Sequence, residues 1–227
     1  MTRLDLTDLA CRRGGRLLFT GLTASVSAGQ ILHIKGSNGC GKSSLLRVIA
    51  GLSPPWSGSQ SVSGDEGEVE PKDCLYLVEE VAALKPAETM AESLLFWARL
   101  MGLDPSRYDL IAAANAVDMA PLLDIETRTF STGQRRRATL ARLAIAHHQN
   151  GGRPIWLLDE PMNGLDAAAR DKVKALIDAH VQTGGILIVA SHDTEFHGAT
   201  RINLDDYRPD PAAFDPSLFD DDAEQGV

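Results

Sequence analysis

The sequence is poor in several features that would indicate other classes of protein. Its three cysteines, Cys11, Cys40 and Cys74, lie far apart in 227 residues, which excludes a disulfide framework and leaves no C-x-x-C pair for a metal. No apolar run reaches the roughly 18 residues that a membrane-spanning helix needs. Residues 1–10 alternate polar and apolar side chains, as a strand does, and lack the pattern of a signal peptide. We therefore expect a soluble, cytosolic chain.

Positive charge is also scarce. The chain carries 22 lysines and arginines against 31 aspartates and glutamates, a formal net charge of −9. Because binding to nucleic acid needs a basic surface, we expect no nucleic-acid partner. The length suits one α/β domain with a full core and room for an inserted subdomain.

A phosphate-binding loop is present near the N-terminus, where residues 36–43 match G-x-x-x-x-G-K-[ST]. An apolar run at 31–34 predicts the preceding strand, and the pattern at 44–50 predicts a helix that ends at Gly51. The glycines let backbone N–H groups point at an anion, Lys42 adds a positive charge, and the hydroxyl of Ser43 is placed to bind Mg²⁺. The residues predicted to bind ATP in this segment are Gly36, Ser37, Asn38, Gly39, Cys40, Gly41, Lys42, Ser43 and Ser44.

Two adjacent carboxylates, Asp159 and Glu160, follow a second apolar strand at 155–158. Alone, such a pair is often part of a solvated turn. Together with a phosphate-binding loop, the strand end favours a catalytic interpretation. Asp159 then organises Mg²⁺, and Glu160 acts as the general base for the attacking water.

Two further segments carry weaker signals when spacing alone is considered. Ser131 can cap a helix whose apolar stripe continues through Leu140 and Leu143, and the N-terminus of a helix can bind an anion. A capped surface helix with arginines facing solvent is the alternative. His192 follows an apolar strand at 186–190, where a histidine is more often structural than functional.

Taken in order, these segments resemble the ATP-binding subunits of ABC transporters over roughly residues 1–204. The matching motifs, besides the phosphate loop, are Ser-Thr-Gly-Gln-Arg-Arg from residue 131, Leu-Leu-Asp-Glu-Pro from 157, Gly-Leu-Asp from 164 and Ser-His-Asp from 191. The resemblance implies an α/β phosphate-loop NTPase with a mixed sheet core. An N-terminal antiparallel β subdomain and a helical subdomain inserted at about 82–150 complete the expected domain. An acidic, disordered tail is expected at 205–227.

The resemblance also implies roles for residues outside the phosphate loop. Glu160 is the implied catalytic base, His192 the sensor of the γ-phosphate, and Asp166 part of the loop that links two active sites. Two chains are expected to form a homodimer around ATP and Mg²⁺, with Ser43 and Asp159 as the metal-binding residues. The signature residues expected to contact the γ-phosphate bound by the opposite protomer are Ser131, Thr132, Gly133 and Gln134.

Within this family the sequence resembles the ATP-binding subunits of the cytochrome c maturation, or haem exporter, system. The most particular stretch is Leu84-Lys85-Pro86 followed by residues 89–97. The implied function is ATP hydrolysis that powers haem export or release of a haem chaperone. The chain would lie at the cytoplasmic face of the inner membrane, bound to multi-span membrane subunits. The alternatives are the ATPase of another exporter, a soluble ABC-type regulator without a membrane partner, and an ATP-binding scaffold that hydrolyses little.

The sequence departs from the family pattern at three places. The glutamine expected ahead of the helical subdomain is missing, and residues 79–81 read Glu-Glu-Val. Phe130 and Thr132 replace the usual leucine and glycine of the signature. No aromatic residue is evident for stacking on adenine, so Arg12 or Arg13 would do so through a cation–π contact, and Arg13 is the predicted ATP-binding residue. These departures bear on the turnover rate more than on nucleotide binding.

Overall fold

A computed structural model describes residues 1–65, 67–80, 83–148, 154–192 and 194–209. In chain order its strands are β1 (Arg3–Arg13), β2 (Arg16–Ser27), β3 (Ile31–Lys35), β4 (Ser57–Gly64), β5 (Gly67–Val69), β6 (Leu75–Val78), β7 (Ile155–Asp159), β8 (Ile186–Ala190) and β9 (Thr200–Asn203). Its α-helices are α1 (Lys42–Ile49), α2 (Pro71–Cys74), α3 (Met90–Leu100), α4 (Arg107–Ala116), α5 (Thr132–His148) and α6 (Ala167–Gln182), with short 3₁₀ turns at Ala120–Leu122, Thr127–Thr129 and Leu204–Tyr207.

The strands form two sheets. An antiparallel sheet has the order β2-β1-β4-β5, and a parallel sheet has the order β6-β7-β8-β3-β9. This arrangement confirms the predicted fold class. One detail differs from the expected mixed core sheet, because every described pairing in the second sheet is parallel. The antiparallel strands pair among themselves, and the parallel strands are joined by long crossovers, most of which contain helices.

The parallel sheet is the middle layer of the molecule, with an apolar core on each face. Successive residues of a strand face opposite sides, so each strand contributes to both cores. From β7, Ile155 and Leu157 join an apolar core shared with α1 and the antiparallel sheet. Trp156 and Leu158 join a second core shared with α3 to α6. Every residue of β7 and β8 is buried, as expected for parallel strands covered on both faces.

Helices α3, α4 and α5 lie between β6 and β7, where the sequence predicted an inserted helical subdomain. They begin at side-chain caps. Thr89 and Glu92 form a reciprocal capping box at α3, and Ser106 does the same with Asp109 at α4. Ser131 caps α5, where its hydroxyl accepts a hydrogen bond from the backbone N–H of Gln134 at 3.3 Å. These caps satisfy N–H groups that would otherwise lack partners in the first helical turn.

Four strands of the parallel sheet end along one edge, and the residues that follow these strands are therefore brought together there. The phosphate-binding loop follows β3, Glu79 and Glu80 follow β6, Glu160 follows β7, and His192 comes two residues after β8. The carboxyl ends of parallel strands are the usual location of ligand sites in open α/β sheets.

The end of the described chain packs onto the core. Leu204 is fully buried, and Leu204–Tyr207 form a 3₁₀ turn. Residues 205–209, which the sequence analysis assigned to the tail, therefore belong to the folded part, whereas residues 210–227 lie outside the described residues. None of the helices in the described segments is long and apolar enough to cross a membrane.

A buried aromatic stack joins α6 to the parallel sheet. The rings of Trp156 and His180 are parallel, with centroids 3.7 Å apart, and His180 Nε2 lies 3.3 Å from the carbonyl oxygen of Ile186. The pKa of His180 is lowered to about 4, mainly by burial and to a smaller extent by His147, whose ring lies 6.4 Å away. His180 is therefore neutral in the folded protein at physiological pH.

We predict that this histidine makes the fold sensitive to acid. The unfolded chain protonates His180 near its ordinary pKa of 6.5, whereas the folded chain does so only near 4. Stability is therefore lost as the pH falls from 6.5 to 4, by up to about 3 kcal/mol. Denaturant titrations at pH 7.5 and 4.5 should show a smaller difference in the free energy of unfolding for His180→Phe than for the parent.

The matched control for this prediction is His197→Gln, which changes an exposed histidine. The free energy of unfolding of this variant should change between the two pH values by as much as that of the parent. Some acid sensitivity should persist in all variants, because burial also lowers the pKa of His33. An unchanged pH dependence in His180→Phe would show that the stacked histidine is not responsible.

Candidate active site

A polar cavity of about 680 Å³ lies at the carboxyl edge of the parallel sheet. Most of the predicted site residues line it. From the phosphate-binding loop and α1 these are Asn38, Gly39, Gly41, Lys42, Ser43 and Ser44, and from elsewhere they are Arg13, Asp159, Glu160 and His192. Gly36, Ser37, Cys40, the signature residues and Asp166 do not line it.

The phosphate-binding loop has the backbone conformation that its glycines allow. Gly39 and Gly41 have φ values of 79° and 112°, which side chains other than glycine rarely adopt. A Cβ on Gly41 would also lie 3.1 Å from the side chain of Leu18. Helix α1 starts immediately afterwards, so its free N–H groups and positive end face the cavity.

Lys42 is the main positive charge of the cavity and is only 7% exposed. Its Nζ donates hydrogen bonds to the carbonyl oxygens of Gly36 at 2.9 Å and Ser37 at 3.2 Å. It also lies 2.7 Å from Nε2 of His192. Since an ammonium group can only donate, this imidazole nitrogen is the acceptor.

The two carboxylates at the end of β7, Asp159 in the strand and Glu160 directly after it, are buried beside this lysine. Burial raises the pKa of Asp159, partly offset by a hydrogen bond from Ser43. Burial likewise raises the pKa of Glu160, and His192 partly offsets it. Among the described residues, Oε1 of Glu160 is buried without a hydrogen-bond partner and lies 3.5 Å from Nε2 of His192. A carboxylate oxygen with an open lone pair is what a general base requires.

The backbone of Glu160 is strained and held from both sides. Its φ of 45° places it in the left-handed region, which is uncommon for a residue with a side chain. Its N–H donates to the carbonyl oxygen of Ala190 at 2.8 Å, and its own carbonyl oxygen accepts from Arg136 at 2.7 Å. Strained residues of this kind persist where the surroundings determine their conformation, often in active sites.

Ser43 and Asp159 fit the metal predicted for them. Their hydrogen bond brings a hydroxyl and a carboxylate oxygen together at the cavity wall. Mg²⁺ prefers such oxygen ligands and usually takes only one or two from protein, with phosphates and waters supplying the rest. No group of three or more histidine, cysteine or acidic side chains within the described ranges forms a separate metal cluster.

The signature residues lie outside this cavity. Ser131 and Thr132 are exposed at the start of α5. Gly133 lies against the loop between β7 and α6, where a Cβ on Gly133 would lie 3.1 Å from the carbonyl oxygen of Gly164. Asp166, in the same loop, caps α6 by accepting from the N–H of Ala169 at 2.8 Å. One chain therefore brings together the phosphate loop, the carboxylates and His192, but not the signature.

The comparisons with known proteins agree with this geometry. A family model described as ABC transporter matches residues 19–163. Relatives described as "Cytochrome c biogenesis ATP-binding export protein CcmA" include that of Novosphingobium aromaticivorans, which is 42% identical over 189 residues and covers 83% of this chain and 88% of its own. That of Rhodospirillum rubrum is 40% identical over 210 residues, covering 90% and 87%. The chain belongs to the CcmA family of ABC transporter ATP-binding proteins.

Solved structures agree at the level of the fold. A putative ABC transporter ATP-binding protein from Pyrococcus furiosus superposes with a TM-score of 0.77 at 22% identity, covering 91% of this chain and 100% of its own. A bacterial Atm1-family ABC exporter with ATP bound gives 0.70 at 21% identity, covering 84% of this chain and 34% of its own.

The structure shows which glutamate faces the cavity in this CcmA-family chain, where the glutamine is missing. Glu80 lines the cavity and accepts a hydrogen bond from Nδ2 of Asn163 at 3.0 Å. Glu79 pairs instead with Arg47 at 2.6 Å. Val81 lies outside the described residues, as does Asp193. Asn163 was not among the residues predicted from sequence, although its position in the loop after the two carboxylates was a usable signal.

The two candidate adenine-binding arginines are also distinguished by position. The guanidinium of Arg12 lies over Trp56, 4.9 Å from the ring centroid. Arg13 lines the phosphate cavity and also a neighbouring cavity of about 400 Å³ that contains Trp56. Arg12 lines only the second of these cavities, so Arg13 is the one of the two arginines that borders both.

Ser37 contacts the C-terminal 3₁₀ turn instead of the cavity. Its backbone N–H donates to Oδ2 of Asp205 at 2.7 Å, and its hydroxyl donates to Oδ1 at 2.9 Å. Arg208 donates to the same hydroxyl at 2.5 Å and pairs with Asp205 at 2.6 Å. Nothing in the local sequence indicates this contact, because the partners are 168 residues apart.

We predict that Asp205 supports nucleotide binding by holding the start of the phosphate loop. Asp205→Ala removes two charge-assisted hydrogen bonds and frees the backbone of Ser37, so nucleotide affinity should fall by about threefold to tenfold. Titration with a fluorescent ATP analogue measures this directly. Asp206→Ala is the matched control, since Oδ1 of Asp206 accepts from Asn203 and not from the loop. Equal affinities of the two variants would refute the prediction.

Proposed function

We propose that two copies of this chain bind two molecules of MgATP and hydrolyse them to drive haem export, or release of a haem chaperone, during the maturation of c-type cytochromes. The observation that carries the proposal is the convergence of Lys42, Asp159, Glu160 and His192 on one cavity, in a chain 36–42% identical to curated CcmA relatives.

The arrangement is suited to in-line attack of water on the γ-phosphate. Lys42 and the N–H groups at the start of α1 would hold the phosphates. Ser43 and Asp159 would hold Mg²⁺, which when bound neutralises charge on the β- and γ-phosphates. Glu160 would accept the proton of the attacking water through its open oxygen, and its buried position makes it a stronger base than an exposed carboxylate.

His192 is placed to link the lysine with the base. It lies 2.7 Å from Nζ of Lys42 and 3.5 Å from Oε1 of Glu160, and its backbone N–H donates to Oε2 of Glu160 at 3.4 Å. A γ-phosphate bound by Lys42 would therefore lie within reach of the same imidazole. This position supports the proposed role of His192 as a phosphate sensor.

We infer that the site is completed by a second copy. Ser131 and Thr132 are exposed at the N-terminal end of α5, and such a helix end can bind an anion. Because these residues do not line the cavity of their own chain, the phosphate that they bind would be presented by the opposite protomer. In a homodimer with two ATP molecules at its interface, the phosphate loop of each copy would face the signature residues of the other.

A second groove supports a membrane partner. It has a volume of about 350 Å³ and lies between α1, β6 and α3. Its wall includes Leu52 and Leu100, which are 65% and 61% exposed, and Trp97, whose ring lies 4.3 Å from the guanidinium carbon of Arg142. A largely apolar groove with one buried cation suits a short amphipathic helix. We propose that a cytoplasmic helix of a multi-span membrane subunit binds here, which would place the chain at the inner face of the membrane.

The proposed roles of Glu160 and Lys42 predict two different defects. Glu160→Gln removes the base and leaves the phosphate cradle, so kcat should fall at least 100-fold while ATP affinity stays within about threefold of the parent. Lys42→Ala removes a charge that contacts the bound phosphates and should weaken binding at least tenfold. Steady-state hydrolysis and equilibrium binding on the same preparations separate the two. Hydrolysis at the parental rate by Glu160→Gln would disprove the base assignment.

The proposed biological role is tested in the source organism. Deletion of the gene should abolish covalent haem attachment to c-type cytochromes and leave b-type haem proteins unchanged, as measured by haem staining and spectra. A plasmid copy of the parent should restore attachment, and one carrying Glu160→Gln should not. Normal c-type cytochromes in a deletion strain without a second gene copy would overturn this role. A second experiment is affinity purification of the protein from membranes. If it recovers no membrane subunit, the alternative function as a soluble ABC-type regulator would be favoured.

A further inference from the structure

Arg136 is buried at a junction that the proposed mechanism does not use. It is in the first part of α5, five residues after the capping Ser131, and only 5% of the residue is exposed. Its Nη1 donates to the carbonyl oxygens of Glu79 at 2.7 Å and Glu80 at 3.0 Å. Its Nη2 donates to the carbonyl oxygens of Asp159 and Glu160, both at 2.7 Å. One guanidinium thus holds four carbonyl groups at the ends of two strands.

These four carbonyl groups belong to the backbone that carries three acidic side chains of the cavity wall, Glu80, Asp159 and Glu160. Glu80 and Glu160 each follow a parallel strand, β6 and β7, and both line the cavity. Beyond the last paired residues, Val78 and Leu158, the sheet no longer fixes the distance between the two chain segments. Arg136 restores a link at that point and ties both segments to α5.

The chemistry of the link requires an arginine. A planar guanidinium presents N–H groups in a fixed fork and can serve two pairs of acceptors at once, whereas a lysine ammonium is a point donor on a flexible chain. Burial lowers the pKa of Arg136, and the carboxylates of Glu80, Asp159 and Glu160 oppose this effect. An arginine remains protonated in such a position.

We propose that Arg136 is a positioning residue that fixes the strained backbone of Glu160, and with it the orientation of the catalytic carboxylate. The carbonyl oxygen of Glu160 is held by Arg136, and its N–H is held by Ala190. The same carbonyl oxygen also accepts from the backbone N–H of Asn163 at 3.1 Å. Without the guanidinium, the left-handed conformation of Glu160 therefore loses the shortest of its three backbone hydrogen bonds, the one from Arg136 at 2.7 Å. The inference rests on the proposed role of Glu160 as the base, and it concerns the rate of hydrolysis, not the binding of ATP.

The first test compares Arg136→Lys with the parent. This variant keeps the charge but cannot bond all four carbonyl groups, so kcat should fall by about 10-fold to 100-fold while ATP affinity stays within about threefold. Arg137→Lys is the matched control on the next residue of α5, because Arg137 contacts the carbonyl oxygen of Asp118 and not the cavity. It should retain the parental kcat. Parental kcat in Arg136→Lys, or equal losses of kcat in both variants, would overturn the proposal.

A combination with Glu160→Gln distinguishes positioning from a general structural effect. If Arg136 acts through Glu160, then Arg136→Lys added to Glu160→Gln should cause no further loss in single-turnover hydrolysis. A multiplicative loss would show that the arginine acts elsewhere and would overturn the proposal. If Glu160→Gln itself hydrolyses ATP at the parental rate, the base assignment fails, which is a separate result.

Rescue by a small molecule tests the proposal even if a variant of Arg136 folds poorly. Arg136→Ala removes the side chain and leaves space for a guanidinium ion, so methylguanidinium at tens of millimolar should restore part of the lost kcat. Methylammonium at the same concentration and ionic strength should restore none. Thermal unfolding of each variant is measured alongside. Loss of thermal stability with no kinetic defect in the folded fraction would assign Arg136 a structural role only.

Discussion

The burial of opposite charges at the end of the parallel sheet is the constraint on which the rest of this structure depends. Lys42, Asp159 and Glu160 are all less than 10% exposed, and burial raises the pKa of both carboxyl groups. Such charges are tolerated only where partners compensate for lost water. Those partners come from different segments: Ser43 bonds Asp159, the backbone N–H of His192 bonds Glu160, and Lys42 and Arg136 add positive charge.

The sequence predicted the parts of the site whose signals are local. The phosphate loop follows from eight consecutive residues, and the carboxylates at 159 and 160 follow from the end of an apolar strand. The helix cap at Ser131 was also predicted, because a cap depends on residues three positions apart. The α/β fold and its family are confirmed. The residue roles, including those of Glu160 and His192, remain predictions that the geometry supports.

The parts that could not be predicted depend on contacts between distant segments. Asp205 bonds Ser37 across 168 residues, and Arg136 reaches the carbonyl group of Glu79 across 57. From sequence, Arg136 reads as one of three arginines on a surface helix, and only the tertiary structure shows that it is buried. Asp205 was assigned to an acidic tail because composition describes the average of a segment and not the one turn that packs onto the core.

The central claim is that one chain holds an incomplete site and that a second copy completes it. Sedimentation velocity of the Glu160→Gln protein, with and without saturating MgATP, tests this most directly, because the variant binds nucleotide without consuming it. The account predicts a monomer without nucleotide, a dimer with MgATP, and loss of that dimer when Ser131→Arg is added while nucleotide binding persists. A protein that remains monomeric although nucleotide is bound, or a dimer that Ser131→Arg leaves intact, would contradict it.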